Sequence, residues 1–159
     1  MSLHYIIDGY NIINHPQFTC TLKTSSDVRL SLLALIRAER LTGSSQNKVS
    51  LVFDGYPAHP LPDYNDTDIN IIFSRKISAD EKIKMLVEES GNRKNIAVVS
   101  DDKDIKFFVK SLGARSVGVE EFINRKKTQN LKKDLLKHEL TYSQTEQINR
   151  ELKALWLKD

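Results

Sequence analysis

Acidic side chains are concentrated directly after one apolar run of this sequence. The stretch IAVVSDDKDI, residues 96–105, places Asp101, Asp102 and Asp104 within four positions, after four apolar residues and Ser100. Like charges about 4 Å apart repel by roughly 1 kcal/mol in water, and by more at a protein surface. Such a concentration of carboxylates indicates a nearby cation, and the hard divalent metals Mg²⁺ and Mn²⁺ prefer carboxylate oxygens.

Aspartates follow or adjoin other apolar segments in the same way. HYIID ends in Asp8, with Asn11 shortly after it, KVSLVFD ends in Asp54, and SADEKI places Asp80 at the start of an amphipathic pattern. Because the carboxyl ends of parallel strands share one edge of a sheet, where ligands bind, we expect these carboxylates to converge. Mg²⁺ or Mn²⁺ held among them would bind phosphate oxygens and activate water for attack.

Helix capping and turns are structural alternatives for these acids. Asp80 and Glu81 fall in the first turn of a predicted helix, where acids commonly act as caps or interact with the helix dipole. Asp8 and Asp54 each precede a glycine, and aspartate is a common turn residue. Both interpretations stay open for each residue taken alone.

A helix cap is also expected within the acidic run itself. Ser100 or Asp101 is predicted to cap the helix that follows, which accounts for one of the three acids. Capping does not account for the other two acids and Asp8 together. Among the histidines, only His59, in a proline-containing loop beside the proposed site, is kept as a minor acid/base candidate.

Short apolar runs alternate with amphipathic patterns through the first 125 residues. Five runs have the composition of strands covered on both faces: 4–8, 48–54, 69–73, 95–100 and a weaker one at 114–119. Three helical patterns lie between them, at 26–41, 78–91 and 103–112. This order predicts a three-layer α/β/α fold with a mainly parallel central sheet.

Several functional classes are disfavoured by what the sequence lacks. It contains neither a G-x-G-x-x-G run after a strand nor a Walker A loop, which argues against dinucleotide and P-loop binding. No run approaches eighteen consecutive apolar residues, and the first residues lack a basic signal-peptide region, so no membrane partner is expected. Cys20 is the single cysteine, so no internal disulfide forms, and a cytoplasmic location is predicted.

The basic excess of the chain lies in its C-terminal tail. Residues 1–124 carry 15 Lys+Arg and 16 Asp+Glu, whereas residues 125–159 carry 9 and 5. The excess begins at Arg125 and is compatible either with a polyanionic partner or with a solvated helical face. We predict one domain at 1–125, followed by a basic, amphipathic helical extension at 126–159.

An apolar stripe in this extension also has to be buried. Ser143 and Glu146 have the spacing of a capping box, and apolar residues follow at helical intervals as far as Trp156. Such a stripe packs against the body of the protein or against another subunit. A homodimer through this helix is therefore one predicted arrangement.

Four motifs together resemble the NYN branch of the PIN-like nucleases, and most closely the bacterial YacP-like ribonucleases. They are YIIDGYNII at 5–13, LVFDGY at 51–56, FSRKISADEKI at 73–83 and VVSDDKDI at 98–105. They have the order and spacing of that family and cover roughly residues 4–125. The resemblance implies a PIN-like fold and a metal-dependent endoribonuclease that uses Mg²⁺ or Mn²⁺ on RNA.

The same resemblance assigns roles to individual residues. The catalytic and metal-binding acids would be Asp8, Asp80, Asp102 and Asp104, and the supporting residues would be Asn11, Asp54, Ser100 and Asp101. Arg75 and Lys76 lie just before the Asp80 turn, where an RNA backbone would pass. The alternative is a catalytically weak RNA- or ribosome-binding adaptor with the same fold, which the basic tail favours.

Overall fold

The fold comes from a computed structural model that describes residues 1–18, 27–59 and 68–156, with the backbone alone at 138–143, 145, 148, 152, 155 and 156. The strands are β1 (His4–Asp8), β2 (Lys48–Phe53), β3 (Ile69–Phe73), β4 (Ile96–Val99) and β5 (Arg115–Val117). The α-helices are α1 (Gly9–Ile13), α2 (Val28–Ala38), α3 (Ala79–Glu88), α4 (Lys103–Ser111), α5 (Val119–Ile123) and α6 (Arg125–Trp156). Cys20 and much of the proline-containing loop lie outside the described residues.

The five strands form one sheet with β1 at its centre. Their order is β3-β2-β1-β4-β5, and each neighbouring pair is parallel. This confirms the predicted α/β fold with a parallel central sheet. Some strands are shorter than their apolar patterns. The run predicted at 95–100, for example, forms a strand only over Ile96–Val99.

Adjacent residues of β1 are buried on opposite faces of this sheet. Ile7 belongs to a core cluster with Leu32 of α2 and Phe122 of α5. Ile6 belongs to a second cluster with Ile83 of α3. Because helices cover both faces, successive strand positions are apolar, which is why these strands lack the alternation of a half-exposed sheet.

The start of α3 is fixed by its own side chains. Ser78 Oγ accepts the backbone N–H of Glu81 at 3.1 Å, and a Glu81 carboxylate oxygen accepts the backbone N–H of Ser78 at 3.3 Å. This confirms the capping box predicted there. Asp80 is therefore the second residue of the helix, and Ser78 is the cap.

The chain divides into two compact units, residues 1–123 and residues 124–159. The second unit contains α6, which is continuous for 32 residues. Ser143 therefore lies inside a helix, and the helix start predicted there is wrong. The side chains of the apolar stripe that ends at Trp156 lie outside the described residues, so the homodimer stays a prediction. In the described part of the chain, no helix is both long and apolar enough to cross a membrane.

The contact between Gly9 and the Phe53 ring gives a test of the packing beside the strand ends. A Cβ at Gly9 would overlap the buried Phe53 ring, whereas a Cβ at Gly91 would meet no heavy atom within 4 Å. We expect Gly9→Ala to lower the free energy of unfolding by about 1–3 kcal/mol, the usual cost of overpacking. Urea denaturation measures this change, and Gly91→Ala serves as the matched control. Equal stability of the two variants would contradict the packing described.

Candidate active site

A cleft of roughly 510 Å³ lies at the carboxyl ends of β1 and β2 and at the start of α3. Its described lining includes four acids predicted for the site, namely Asp8, Asp54, Asp80 and Asp101. Tyr10, Asn11 and His15 also line it. The structure thus brings side chains from four separate segments to the edge where the sequence predicted a site. We call this region the carboxylate cleft.

Asp8 is the buried acid of the cleft. It ends β1 and caps α1, with its side chain accepting the backbone N–H of Asn11 at 3.4 Å, and only 6% of the residue is exposed. Burial raises the pKa of the Asp8 carboxyl to about 6, and repulsion from Asp80 and Asp102 adds to the rise. Hydrogen bonds from Asn11 and from the Ser100 hydroxyl act in the opposite direction.

Asp80 is electrostatically linked to the other acids. Its pKa is raised, first by partial burial and then by Asp102, with smaller contributions from Asp54 and Asp104. Lys84, one helical turn later, acts in the opposite direction. Lys84 was not predicted as part of the site, although an acid and a base four residues apart share one face of a helix.

Asp102 caps α4, which corrects the prediction that Ser100 or Asp101 would do so. Its backbone is extended, and its Oδ1 accepts the N–H groups of Asp104 at 2.8 Å and Ile105 at 3.0 Å. Its charge also raises the pKa values of two acids of the cleft. Asp102 therefore both caps α4 and contributes negative charge to the acidic cluster.

Ser100 and Asn11 connect the end of β4 to α1. Ser100 is buried, its Oγ accepts the N–H of Asp102 at 3.1 Å, and its hydroxyl donates to Asp8. Asn11 Oδ1 accepts the N–H of Asp101 at 3.0 Å. Both residues were predicted to support the site, and here they fix the relative positions of its acids.

Asp101 is held by structural contacts. Its Oδ1 accepts the Val119 N–H at 3.0 Å and lies 3.4 Å from Lys106 Nζ, while its Oδ2 lies 3.6 Å from His15 Nε2. These contacts join the end of β4 to α4, to α5 and to the turn after α1. His15 was not predicted, since only the folded chain brings it near Asp101.

Asp54 positions the start of α3, whereas Asp104 lies outside the described lining of the cleft. Asp54 Oδ1 accepts the Ser74 hydroxyl at 3.2 Å and the Ala79 N–H at 3.0 Å. Because Asp80 directly follows Ala79, this contact helps to place the Asp80 carboxylate. Asp104 is exposed in the first turn of α4 and acts on the site through its repulsion with Asp80.

The predicted RNA-contacting residues and His59 lie outside the described lining of the cleft. Arg75 and Lys76 follow β3 and are exposed. Arg75 has a φ of 61°, and its N–H donates to the Gly55 carbonyl at 2.9 Å. His59 is exposed and interacts electrostatically with Asp27 before α2.

The donor groups of the cleft have the chemistry that a hard cation prefers. Among the described residues, no three His, Cys, Asp or Glu side chains form a ready-made metal cage. Mg²⁺, however, is commonly bound by one or two carboxylates and several waters. Burial raises the pKa values of Asp8 and Asp80, and repulsion from neighbouring acids, Asp102 among them, adds to both rises. A bound cation would offset both effects, and Asp8, Asp80 and Asp102 would hold it.

The family of this chain follows from a comparison with known sequences. The model of the YacP-like NYN domain matches residues 5–158. The chain belongs to this family. YacP-like NYN domains are nuclease-like. The match also includes α6, whereas the resemblance of the sequence motifs extended only to about residue 125. A comparison with curated proteins gives no match.

Two solved structures share the fold of this YacP-like chain. One is the crystal structure of Rae1 (YacP) from Bacillus subtilis, with a TM-score of 0.57 and 22% identity over 91% of this chain and 84% of that chain. The other is a tryptophan-to-leucine variant of the same protein, with a TM-score of 0.58 and 23% identity over 89% and 85%. At this level of identity the likeness shows the fold.

The raised pKa of Asp8 predicts a pH-dependent loss of stability in the metal-free protein. In the unfolded chain, the Asp8 carboxyl releases its proton near its ordinary pKa of 3.8. In the folded protein its pKa is about 6, so it keeps the proton to a higher pH. Stability is therefore lost as pH rises through this window, and the shift corresponds to about 3 kcal/mol. With EDTA present, we expect the free energy of unfolding of Asp8→Asn to exceed that of wild type by up to about 3 kcal/mol near pH 7.5. Near pH 3.5 the two free energies are expected to be almost equal.

Urea denaturation at both pH values measures the difference. Glu88→Gln removes an exposed acid from α3 and serves as the control. Its stability is expected to stay within about 0.5 kcal/mol of wild type, as is usual for surface substitutions. An advantage of Asp8→Asn that does not change with pH would contradict the argument.

Proposed function

We propose that this protein is a metal-dependent endoribonuclease that hydrolyses RNA phosphodiester bonds with Mg²⁺ or Mn²⁺. The observation that carries the proposal is the convergence of Asp8, Asp54, Asp80 and Asp101 on one cleft. Burial raises the pKa of Asp8 to about 6, and repulsion from Asp80 and Asp102 adds to the rise. A fold that keeps acids together against this repulsion supports cation binding. The nuclease-like character of YacP-like NYN domains supports RNA cleavage as the reaction.

Several residues in and around the carboxylate cleft have roles in this proposal. Asp8, Asp80 and Asp102 would hold the metal, and Asp104, whose charge acts on Asp80, would add to the negative charge around it. When bound, the metal supplies an activated water and stabilises charge on the scissile phosphate. Ser100 orients two of the acids through its hydroxyl, because its Oγ contacts both Asp8 and the Asp102 backbone.

Arg75 and Lys76 are proposed to contact the RNA backbone. Arg75 keeps a left-handed backbone conformation, which costs a residue other than glycine about 1 kcal/mol or more. Its N–H bond to Gly55 sets this conformation, and its side chain is exposed two residues after the end of β3. Strain at an exposed arginine beside a candidate site supports a binding role.

A catalytically weak RNA- or ribosome-binding adaptor is the second candidate function. The observation that favours it is the basic excess of the tail, which would attract a polyanion without any chemistry in the cleft. The two candidates differ in metal dependence. A nuclease loses RNA cleavage in EDTA, whereas an adaptor binds RNA equally well with and without a divalent ion and leaves it intact.

Asp102→Asn is the sharpest test of the nuclease. Asparagine caps helices as well as aspartate does, so α4 is expected to persist while the charge is lost. With Mn²⁺, wild type is expected to cleave a labelled RNA, and Asp102→Asn to cleave it about 100-fold more slowly, since even supporting residues of metal sites contribute about 10–100-fold. Single-turnover rates on a denaturing gel measure the effect.

Asp134→Asn is the matched control, because it makes the same chemical change at an exposed position of α6. We expect it to cleave at the wild-type rate, and EDTA to stop cleavage by wild type. Equal rates for wild type and Asp102→Asn, or cleavage that persists in EDTA, would exclude the proposed mechanism.

A further inference from the structure

The N-terminal part of α6, residues 125–137, carries the positive charge of the second unit. It contains six Lys and Arg and one Asp, a formal net charge of +5. Residues 138–156 contain two basic and three acidic residues, a net charge of −1. The net positive charge of this helix is therefore confined to its N-terminal part. Solvation alone does not require such an asymmetric distribution of charge.

Three of these lysines share one face of the helix. Lys126, Lys133 and Lys137 are exposed and are separated by seven and four positions. At about 100° per residue, these intervals place them within roughly 40° of one another, along about 16 Å of the helix axis. We call Lys126, Lys133 and Lys137 the lysine stripe.

The exposed leucines of this segment lie off the lysine stripe. By the same helical geometry, Leu131 lies roughly 140° around the helix from the stripe and Leu135 roughly 180°. Leu136 and Asp134, the acid of the segment, lie about 80° to either side of it. The stripe is therefore a polar, positively charged surface in its own right.

We propose that the lysine stripe is a docking surface for the phosphate backbone of RNA. Ammonium groups repeated along a helix face match the repeated charges of a nucleic-acid backbone and need no base-specific contact. The inference rests on the proposed function for the identity of the polyanion, and it adds a binding surface outside the carboxylate cleft.

An anionic membrane is the less suitable partner for this surface. Helices that lie on membranes usually carry Trp, Phe and Leu on a broad apolar face. Residues 125–137 contain no aromatic residue, and their apolar residues are Leu131, Leu135 and Leu136. The charge is thus dense while the apolar area is small, which favours RNA.

A charge-matched pair of triple variants tests the proposal in the full-length protein. One variant changes Lys126, Lys133 and Lys137 to Gln, and the control changes Lys48, Lys94 and Lys110, which are exposed in the first unit, to Gln. Both lose three charges, so they differ only in where the charge is lost. Glutamine has nearly the helix propensity of lysine, so α6 is expected to persist, and far-UV circular dichroism checks this.

Binding is measured by fluorescence anisotropy with a labelled single-stranded RNA of about 20 nucleotides, in EDTA, across a salt series. We expect the stripe variant to bind about tenfold more weakly or worse at low salt. We also expect its log K against log[salt] plot to be less steep by about 2, because three contacts to a single strand contribute about 0.7 each. The control is expected to stay close to wild type, and changing the same three stripe residues to Arg is expected to preserve binding.

Three outcomes would overturn the proposal. Wild-type affinity in the stripe variant would exclude the stripe as the docking surface. Equal weakening in both triple variants would show that overall charge, not the stripe, governs binding. The surface would be assigned to membranes instead if anionic vesicles bound wild type as strongly as RNA does and bound the stripe variant as weakly as RNA does.

The binding assay also separates this inference from the nuclease. EDTA suppresses metal-dependent chemistry, so binding is measured without cleavage. If binding depends on the stripe but the protein does not cleave RNA with Mn²⁺, the nuclease proposal fails and the docking surface stands. Cleavage with Mn²⁺ by a protein whose stripe variant binds normally would keep the nuclease and remove the docking surface.

Discussion

The parallel pairing of β1 with β2 and β4 is the constraint on which the site depends. Ile7 pairs with Leu51 on one side and Val99 on the other, so Asp8 and Ser100 both emerge at the same level of the sheet. A slip of one residue would turn every β1 side chain to the opposite face. The buried position of Asp8 is therefore fixed by the apolar core beneath it.

The N-termini of several helices help to stabilise the acids at this edge of the sheet. In a parallel α/β fold, strands end where helices begin, and α1, α3 and α4 all begin close to the carboxylate cleft. Asp8 and Asp102 each accept backbone N–H groups from the helix they cap, and Asp54 accepts the first N–H of α3. These donors and the positive ends of the helix dipoles offset part of the repulsion.

The sequence contained enough information to predict the strands, their parallel direction and the convergence of their terminal acids, but not the order of the strands in the sheet. It could not show which residue caps α4, because Ser100, Asp101 and Asp102 are all good capping types and only the extended backbone at Asp102 decides. The five-residue α1 is too short for a helical period to be recognised. His15 reaches Asp101 through a tertiary contact that no local pattern records.

The burial of Asp8 has a consequence for how well the ion-free protein would resist proteolysis. An acid buried at an energetic cost leaves the ion-free form less stable, and proteases act on the transiently opened population. An ion that binds only the folded state reduces that population. If the proposed ion binds here, the supply of divalent cations would set the abundance of the protein as well as its activity.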